Sequence, residues 1–233
     1  MSFLTAMLVS VNPVMSETLN EADIKKLALE AILENPQIIM EAVNLLRDRD
    51  EADKEASKKQ AYLDNEDLLI SDPNAPTYGN PEADITIIEF FDYNCGYCKK
   101  AMAAVQEVLR NDKNIRIIYR EFPILSEGSI YASRAALASR AQNKYNVFHE
   151  ELMNAQQLNK ISVIQIARRI GLDIEKLLID INDPNVFEHI QTSRDLADAL
   201  QFTGTPSFVI GDRLIGGYIP EDAMLEIIAS IRG

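Results

Sequence analysis

The chain has 233 residues, 47% of them apolar and 25% charged, which suits one large globular domain or an ordinary domain with an extension. A net charge of -13 repels phosphates and anionic lipid surfaces, and Arg134, Arg140, Arg168 and Arg169 are scattered among apolar positions, so nucleic acid is excluded as a partner. No apolar run approaches the ~18 residues needed to cross a bilayer.

Phe3 to Val14 is mostly apolar and leads into Val14-Met15-Ser16 and then Glu17, a pattern that suits signal-peptidase cleavage after Ser16. Residues 1–16 are therefore expected to be an export signal. Ala22 to Leu33 carries Ile24, Leu27, Ala28, Ala31 and Ile32 at helical spacing. Asn35-Pro36 interrupts that stripe, and Pro36 suits the first turn of a second helix with Ile38, Ile39, Ala42, Val43, Leu45 and Leu46. Two short amphipathic helices cannot bury their stripes alone, so residues 20–46 are expected to associate with other copies of themselves or with the main domain. Residues 47–62 are almost wholly charged or Ala, which predicts a solvated helical connector.

A catalytic domain is expected over residues 63–233. Leu68-Leu69-Ile70 reads as a short strand and Asp72-Pro73-Asn74-Ala75-Pro76 as a loop. Ile85 to Phe91 reads as a strand buried on both faces, followed by a helix from Cys95 with Met102, Val105 and Leu109, and by a strand from Ile115 to Tyr119. Strand, helix, strand over ~35 residues makes a parallel βαβ unit. A helical insert spans 127–200. Ser207–Ile210 and Leu214-Ile215 form a hairpin across Gly211-Asp212, and Glu221 to Ile231 closes the chain as a helix.

Cys95 and Cys98 are the only cysteines. A bridge closing so small a loop removes little chain entropy, so a structural staple is a poor reading. Zinc needs about four ligands, and His149 and His189 stand forty residues apart in predicted helices, so no metal site is expected. A two-thiolate Cu(I) site remains chemically reasonable. The strand–helix junction places Cys95 at a helix N-terminus, where free N–H groups and the macrodipole favour a thiolate; Cys98, one turn on, is placed to resolve a mixed disulfide. Lys99 and Lys100 add positive potential.

Glu89 sits in the middle of Ile85–Phe91, where a carboxylate needs a partner or a task. Lying under the helix start it can take the proton of Cys98; the alternative is an acid at a strand end that reaches solvent. Thr205-Pro206 opens a strand, and on base rates alone its peptide bond is trans.

Glu89-Phe90-Phe91-Asp92-Tyr93-Asn94-Cys95-Gly96-Tyr97-Cys98, Gly204-Thr205-Pro206-Ser207-Phe208 and Ile215-Gly216-Gly217-Tyr218 together resemble the DsbA-like branch of the thioredoxin superfamily over residues 65–233. The resemblance implies an α/β thioredoxin-like fold with a helical insertion, a cis Pro206 facing the dithiol, Thr205 on substrate backbone and Glu89 as the buried acid. It also implies substrate contact at Gly96 and Tyr97. Gly96-Tyr97 with Thr205 departs from the oxidase pattern and resembles oligomeric isomerases of the DsbC kind; the helix pair and charged connector resemble the stalk of ScsC proteins. The expectation is a periplasmic disulfide isomerase or reductase without an added cofactor. It acts on misoxidised secreted proteins, is reset by a membrane redox partner, and assembles as a homotrimer or other homo-oligomer through residues 20–46. A dithiol oxidase is the alternative within this chemistry, and a Cu(I) carrier or chaperone-like binding module the alternative outside it.

Overall fold

A computed structural model describes residues 20–233; the expected signal segment 1–16 lies outside the described residues. The chain divides into two compact units between Lys54 and Glu55.

In the first unit, α1 (Glu21–Glu34) starts at Asn20, whose side chain accepts from the Ala22 and Asp23 N–H groups while Asp23 reaches back to the Asn20 N–H, a reciprocal capping box. Pro36 directly precedes α2 (Gln37–Ser71). No residue of α1 is buried, and Ile24, Leu27, Ile38, Ile39, Leu45 and Leu46 are all exposed.

Helix α2 runs unbroken for 35 residues, through the expected connector and beyond it. Leu68-Leu69-Ile70, read as a strand, is its last turn, which corrects that expectation: three apolar residues are too few to show a period, and the helix continues through them. Tyr62 and Leu69, two turns apart, are its buried positions, and the second compact unit begins at Glu55 where residue 63 was expected. The last turn is held by Arg120, fully buried, which donates to the Leu68 and Leu69 carbonyls and pairs with Asp72. Those carbonyls belong to the helix end and have no partner within the helix.

The second unit contains a five-stranded mixed sheet in the order β1-β3-β2-β4-β5, with β1 Thr77–Gly79, β2 Ile85–Phe91, β3 Ile115–Glu121, β4 Ser207–Ile210 and β5 Arg213–Gly216. β2 and β3 are parallel, with α3 (Gly96–Asn111) between them in sequence; the other pairings are antiparallel. The short, exposed edge strand β1 was not foreseen. The expected insert is α4 (Glu127–Ala138), a 3-10 turn, α5 (Tyr145–Asn154), α6 (Lys160–Arg169), α7 (Ile174–Asp180) and α8 (Pro184–Ala199); α9 (Glu221–Arg232) closes the chain.

Alternation along β2 sorts the core. Ile85, Ile87 and Phe91 pack with α3, α9 and the insert, while Ile88 and Phe90 pack with Tyr62 and Leu69 of α2, Leu196 of α8, Phe122 and Phe202. Glu89 has the same parity as Ile87 and Phe91, so the acid points to the α3 side of the sheet. The fold is that of thioredoxin with a DsbA-like helical insertion.

Candidate active site

Cys95 is the N-cap residue of α3, with φ -79° and ψ 117° and no side-chain capping bond, so the first-turn N–H groups remain available to its sulfur. Both cysteines are reduced; Cys98 is fully buried and Cys95 is 8% exposed. Donation by the Cys98 thiol is the main cause that brings the Cys95 thiol down to about 5; burial opposes it, and Thr205 with the Cys98 and Tyr97 N–H groups adds to it. Cys98 moves the other way, well above the ordinary thiol range, through burial first, then its bond to Cys95 and the charge of Glu89. The pair therefore divides into an attacking thiolate and a protonated thiol held behind it.

The loop from Gly204 to Pro206 closes over this pair. The Thr205–Pro206 peptide bond is cis, as the resemblance implied and base rates did not. The Thr205 carbonyl oxygen lies 3.2 Å from Cys95 Sγ. Ser207 Oγ donates to the Gly204 carbonyl at 2.8 Å and the Gly217 N–H to the Pro206 carbonyl at 2.9 Å, which fixes the loop to β4 and to the end of β5.

Glu89 is 1% exposed, and its Oε1 has no hydrogen-bond partner among the described residues, so the strand-end reading does not hold. Burial, and then the negative charge of Cys95, push its carboxyl up to about 8. Gly96 is the first residue of α3, and Tyr97 is exposed beside Cys95. The structure thus brings Cys95, Cys98, Glu89, Gly96, Tyr97, Thr205 and Pro206 into one neighbourhood. Lys99 does not stand free beside the thiols: its Nζ donates to the Ala155 and Gln156 carbonyls.

Sequence reasoning missed what holds the turn before Cys95. Asp92, fully buried, accepts from the Asn94 N–H through Oδ1 and from the Ile124 and Leu125 N–H groups through Oδ2. Asn94 accepts from the Leu158 N–H at 2.7 Å and donates to the Leu158 carbonyl, Ser126 Oγ and Ser129 Oγ. Gly128 permits that approach, because a Cβ there would stand 2.1 Å from the Leu158 oxygen. A second buried acid, Glu121, accepts from Tyr93 (3.1 Å) and Tyr145 (2.8 Å), and the Tyr93 hydroxyl also bonds His149 Nδ1 at 3.0 Å. Burial drives His149 down to about 3, so it is a neutral structural histidine, as is His189, whose Nε2 accepts from the Glu121 N–H. Asp92 and Asn94 stand within the motif, but their partners lie tens of residues away.

A family model described as the DSBA-like thioredoxin domain matches residues 86–229, from β2 to α9. The chain belongs to the DsbA-like thioredoxin family. A further model, described as the copper resistance protein ScsC N-terminal domain, matches residues 20–53, the stretch that forms α1 and the first half of α2. Among solved structures, a thioredoxin-like oxidoreductase from Silicibacter pomeroyi DSS-3 is 50% identical, covering 72% of this chain and 98% of that one with a TM-score of 0.71. A linker-deleted ScsC variant from Proteus mirabilis is 25% identical and covers 93% of this chain and 97% of that one, with a TM-score of 0.69. Among curated relatives, Na(+)/H(+) antiporter NhaA 1 of Salinispora arenicola is 31% identical over 170 residues, 70% of this chain but 26% of that protein. The chain thus spans about a quarter of the length of such relatives. Within the DsbA-like family the separation of a low-pKa N-cap thiolate from a buried thiol is a geometry for thiol–disulfide exchange.

Proposed function

We propose that this protein is an exported thiol–disulfide oxidoreductase that corrects wrong disulfides in secreted proteins. The observation that carries the reading is Cys95 at the start of α3, its thiol brought down to about 5, in front of a buried Cys98 whose thiol is pushed well above the ordinary range. Cys95 attacks one sulfur of a substrate disulfide; a mixed disulfide forms and the other substrate sulfur leaves as a thiolate. That thiolate can attack elsewhere in the substrate, and a substrate thiolate then displaces Cys95, which gives isomerisation with no net electron transfer. Otherwise Cys98 attacks Cys95 Sγ, the substrate leaves reduced by two electrons, and the Cys95–Cys98 disulfide must be reduced by a dithiol-donating partner in the membrane. The dithiol is its own redox centre, and no separate cofactor takes part.

Glu89 takes the Cys98 proton in the resolving step. The Cys95 charge is part of what keeps Glu89 protonated in the resting state. Converting Cys95 to a mixed disulfide removes that charge and lowers the Glu89 pKa, so the base becomes available at the step that needs it.

Isomerisation over oxidation is supported by Gly96-Tyr97 and Thr205 at the site and by the likeness of residues 20–53 to the ScsC N-terminal domain. Residues 20–46 form the oligomer contact in this reading, because their apolar stripe is exposed along both helices. A periplasmic location follows the description of a Salmonella enterica structural relative as a periplasmic thioredoxin-like protein. The test is reactivation of scrambled ribonuclease by the reduced full chain. Recovery well above that in a glutathione buffer, lost in Cys95→Ser, is expected; recovery equal to the buffer removes the isomerase reading.

A Cu(I) carrier is a second reading, since the matching N-terminal model is named for copper resistance. It requires Cys98 as a second thiolate, which burial opposes. Tight stoichiometric Cu(I) binding without disulfide exchange would favour it.

A further inference from the structure

Asn94 and Lys99 flank the Cys95–Cys98 segment, one on each side, and both grip the short loop between α5 and α6. The Asn94 amide takes Leu158 by both of its backbone groups, accepting from the N–H at 2.7 Å and donating to the carbonyl at 3.2 Å. Lys99 Nζ donates to the Ala155 carbonyl and, at 3.1 Å, to the Gln156 carbonyl. Leu158 is buried, whereas Gln156 and Gln157 are exposed. The loop is therefore pinned at its two ends to the two ends of the dithiol segment.

The two grips differ in what they sense. Asn94 is neutral, but Lys99 is a cation one turn along α3 from Cys95. Its backbone N–H donates to the Cys95 carbonyl at 3.2 Å, and residues four apart on a helix share a face. Burial pulls the Lys99 ammonium below the ordinary lysine range, and the charges of Asp92, Cys95 and Cys98 oppose that. Of these three groups, Cys95 is the one whose charge the exchange reaction removes. The carbonyls that hold Nζ lie just past the last residue of α5, at the negative end of that helix, so the ammonium joins the dithiol turn to the insert through charge as well as hydrogen bonds.

We propose that the α5–α6 loop, Ala155–Leu158, is a latch on the dithiol, which Lys99 closes more firmly when Cys95 is a thiolate than when Cys95 and Cys98 form a disulfide. The proposal rests on the exchange reading and adds a state-dependent loop to it. In the step that changes the state, the Cys95 thiolate and the Cys98 thiol give two electrons to a substrate disulfide. The substrate S–S bond breaks, the Cys95–Cys98 bond forms, and the Cys98 proton passes by way of Glu89 to one of the two released sulfurs. The negative charge leaves Cys95 on the other released sulfur, and Lys99 loses its partner. Linkage runs both ways: whatever factor the thiolate adds to closing the latch, the closed latch adds to the reduced dithiol. Lys99 is in this sense a positioning residue, and its direction of action keeps Cys95 free to attack.

The test compares hydrogen exchange at the Leu158 amide in the reduced and oxidised full chain at about pH 7, above the Cys95 midpoint of about 5, and measures the equilibrium of the dithiol with glutathione. Exchange is expected to be about fivefold faster in the oxidised chain, the low end of coupling between two sites. Cys95→Ser, which lacks the charge without forming the bond, is expected to exchange like the oxidised chain. Lys99→Met is expected to abolish the difference between the two states and to shift the glutathione equilibrium about fivefold toward the disulfide, equivalent to about 20 mV. Lys99→Arg keeps the charge and the donors and is expected to stay within about twofold of the native equilibrium. A contact that only held the fold would lower the Tm of Lys99→Met and leave the glutathione equilibrium where it was. Equal exchange in the two states, Cys95→Ser that exchanges like the reduced chain, an unmoved equilibrium in Lys99→Met, or an equal shift in Lys99→Arg would each overturn the proposal. A reduced chain that glutathione disulfide does not oxidise would instead overturn the exchange reading beneath it.

Discussion

Cys95 and Cys98 are three positions apart and titrate in opposite directions, because the Cys98 thiol donates to Cys95 while Cys98 itself is buried in the first turn of α3. We expect the thiolate absorbance of the reduced protein to titrate with a midpoint near 5 and to vanish in Cys95→Ser. Cys98→Ala removes the largest cause of the depression and should move the midpoint upward; an unmoved midpoint would show that the helix start alone sets it. Glu89 carries the opposite sign. A carboxyl raised from its usual 4.5 to about 8 by burial destabilises the fold as pH rises: the penalty is absent below 4.5, grows through the window and is complete above about 8. Glu89→Gln should therefore be close to neutral for stability at pH 4 and stabilising by several kcal/mol at pH 8.5, at about 1.4 kcal/mol per pH unit of the window. The same variant should prolong the mixed disulfide at least tenfold, because the resolving thiol loses its proton acceptor. Urea melts at the two pH values and a quench-flow trap check the two effects separately, and an equal stability difference at both pH values would contradict the buried-acid account.

At the scale of elements, the strands β2 and β4 were legible to the residue, because each is a mostly apolar run bounded by polar or turn residues. Leu68-Leu69-Ile70 misled because its helical state depends on contacts far away: Leu69 packs into the layer with Ile88 and Phe90, and Arg120 holds the last carbonyls from 51 and 52 positions down the chain. The dithiol was legible for the converse reason, since Cys95, Cys98 and the strand–helix junction are local. The Asn94 contacts to Leu158 and the bonds joining Glu121, Tyr93, Tyr145 and His149 span 24 to 64 residues, and no local pattern announces them. Arg120→Met tests the capping role. It leaves Asp72 buried without its cation and the Leu68 carbonyl without a donor, so a loss of about 3–5 kcal/mol is expected in urea unfolding. Adding Asp72→Asn should restore part of it, and a single-variant loss below about 1 kcal/mol would show that the helix end is held by packing alone.

At the scale of the whole molecule, the first unit presents an apolar stripe that is exposed among the described residues. Leu27 and Leu46 are 50% and 60% exposed, so Leu27→Asp with Leu46→Asp should not disturb either helix. If residues 20–46 make the oligomer, light scattering should report a multiple of 26.2 kDa for the native chain and the single-chain mass for the double variant. An unchanged particle mass would place the contact elsewhere. Exchange at Cys95 itself does not depend on that assembly. It is tested most directly by incubating reduced Cys98→Ala with unfolded disulfide-bonded protein, quenching with acid and mapping the covalent adducts by mass spectrometry. The account predicts mixed disulfides that accumulate on Cys95 and disappear on reduction; a Cys95 that stays free while the substrate disulfides stay intact would contradict it.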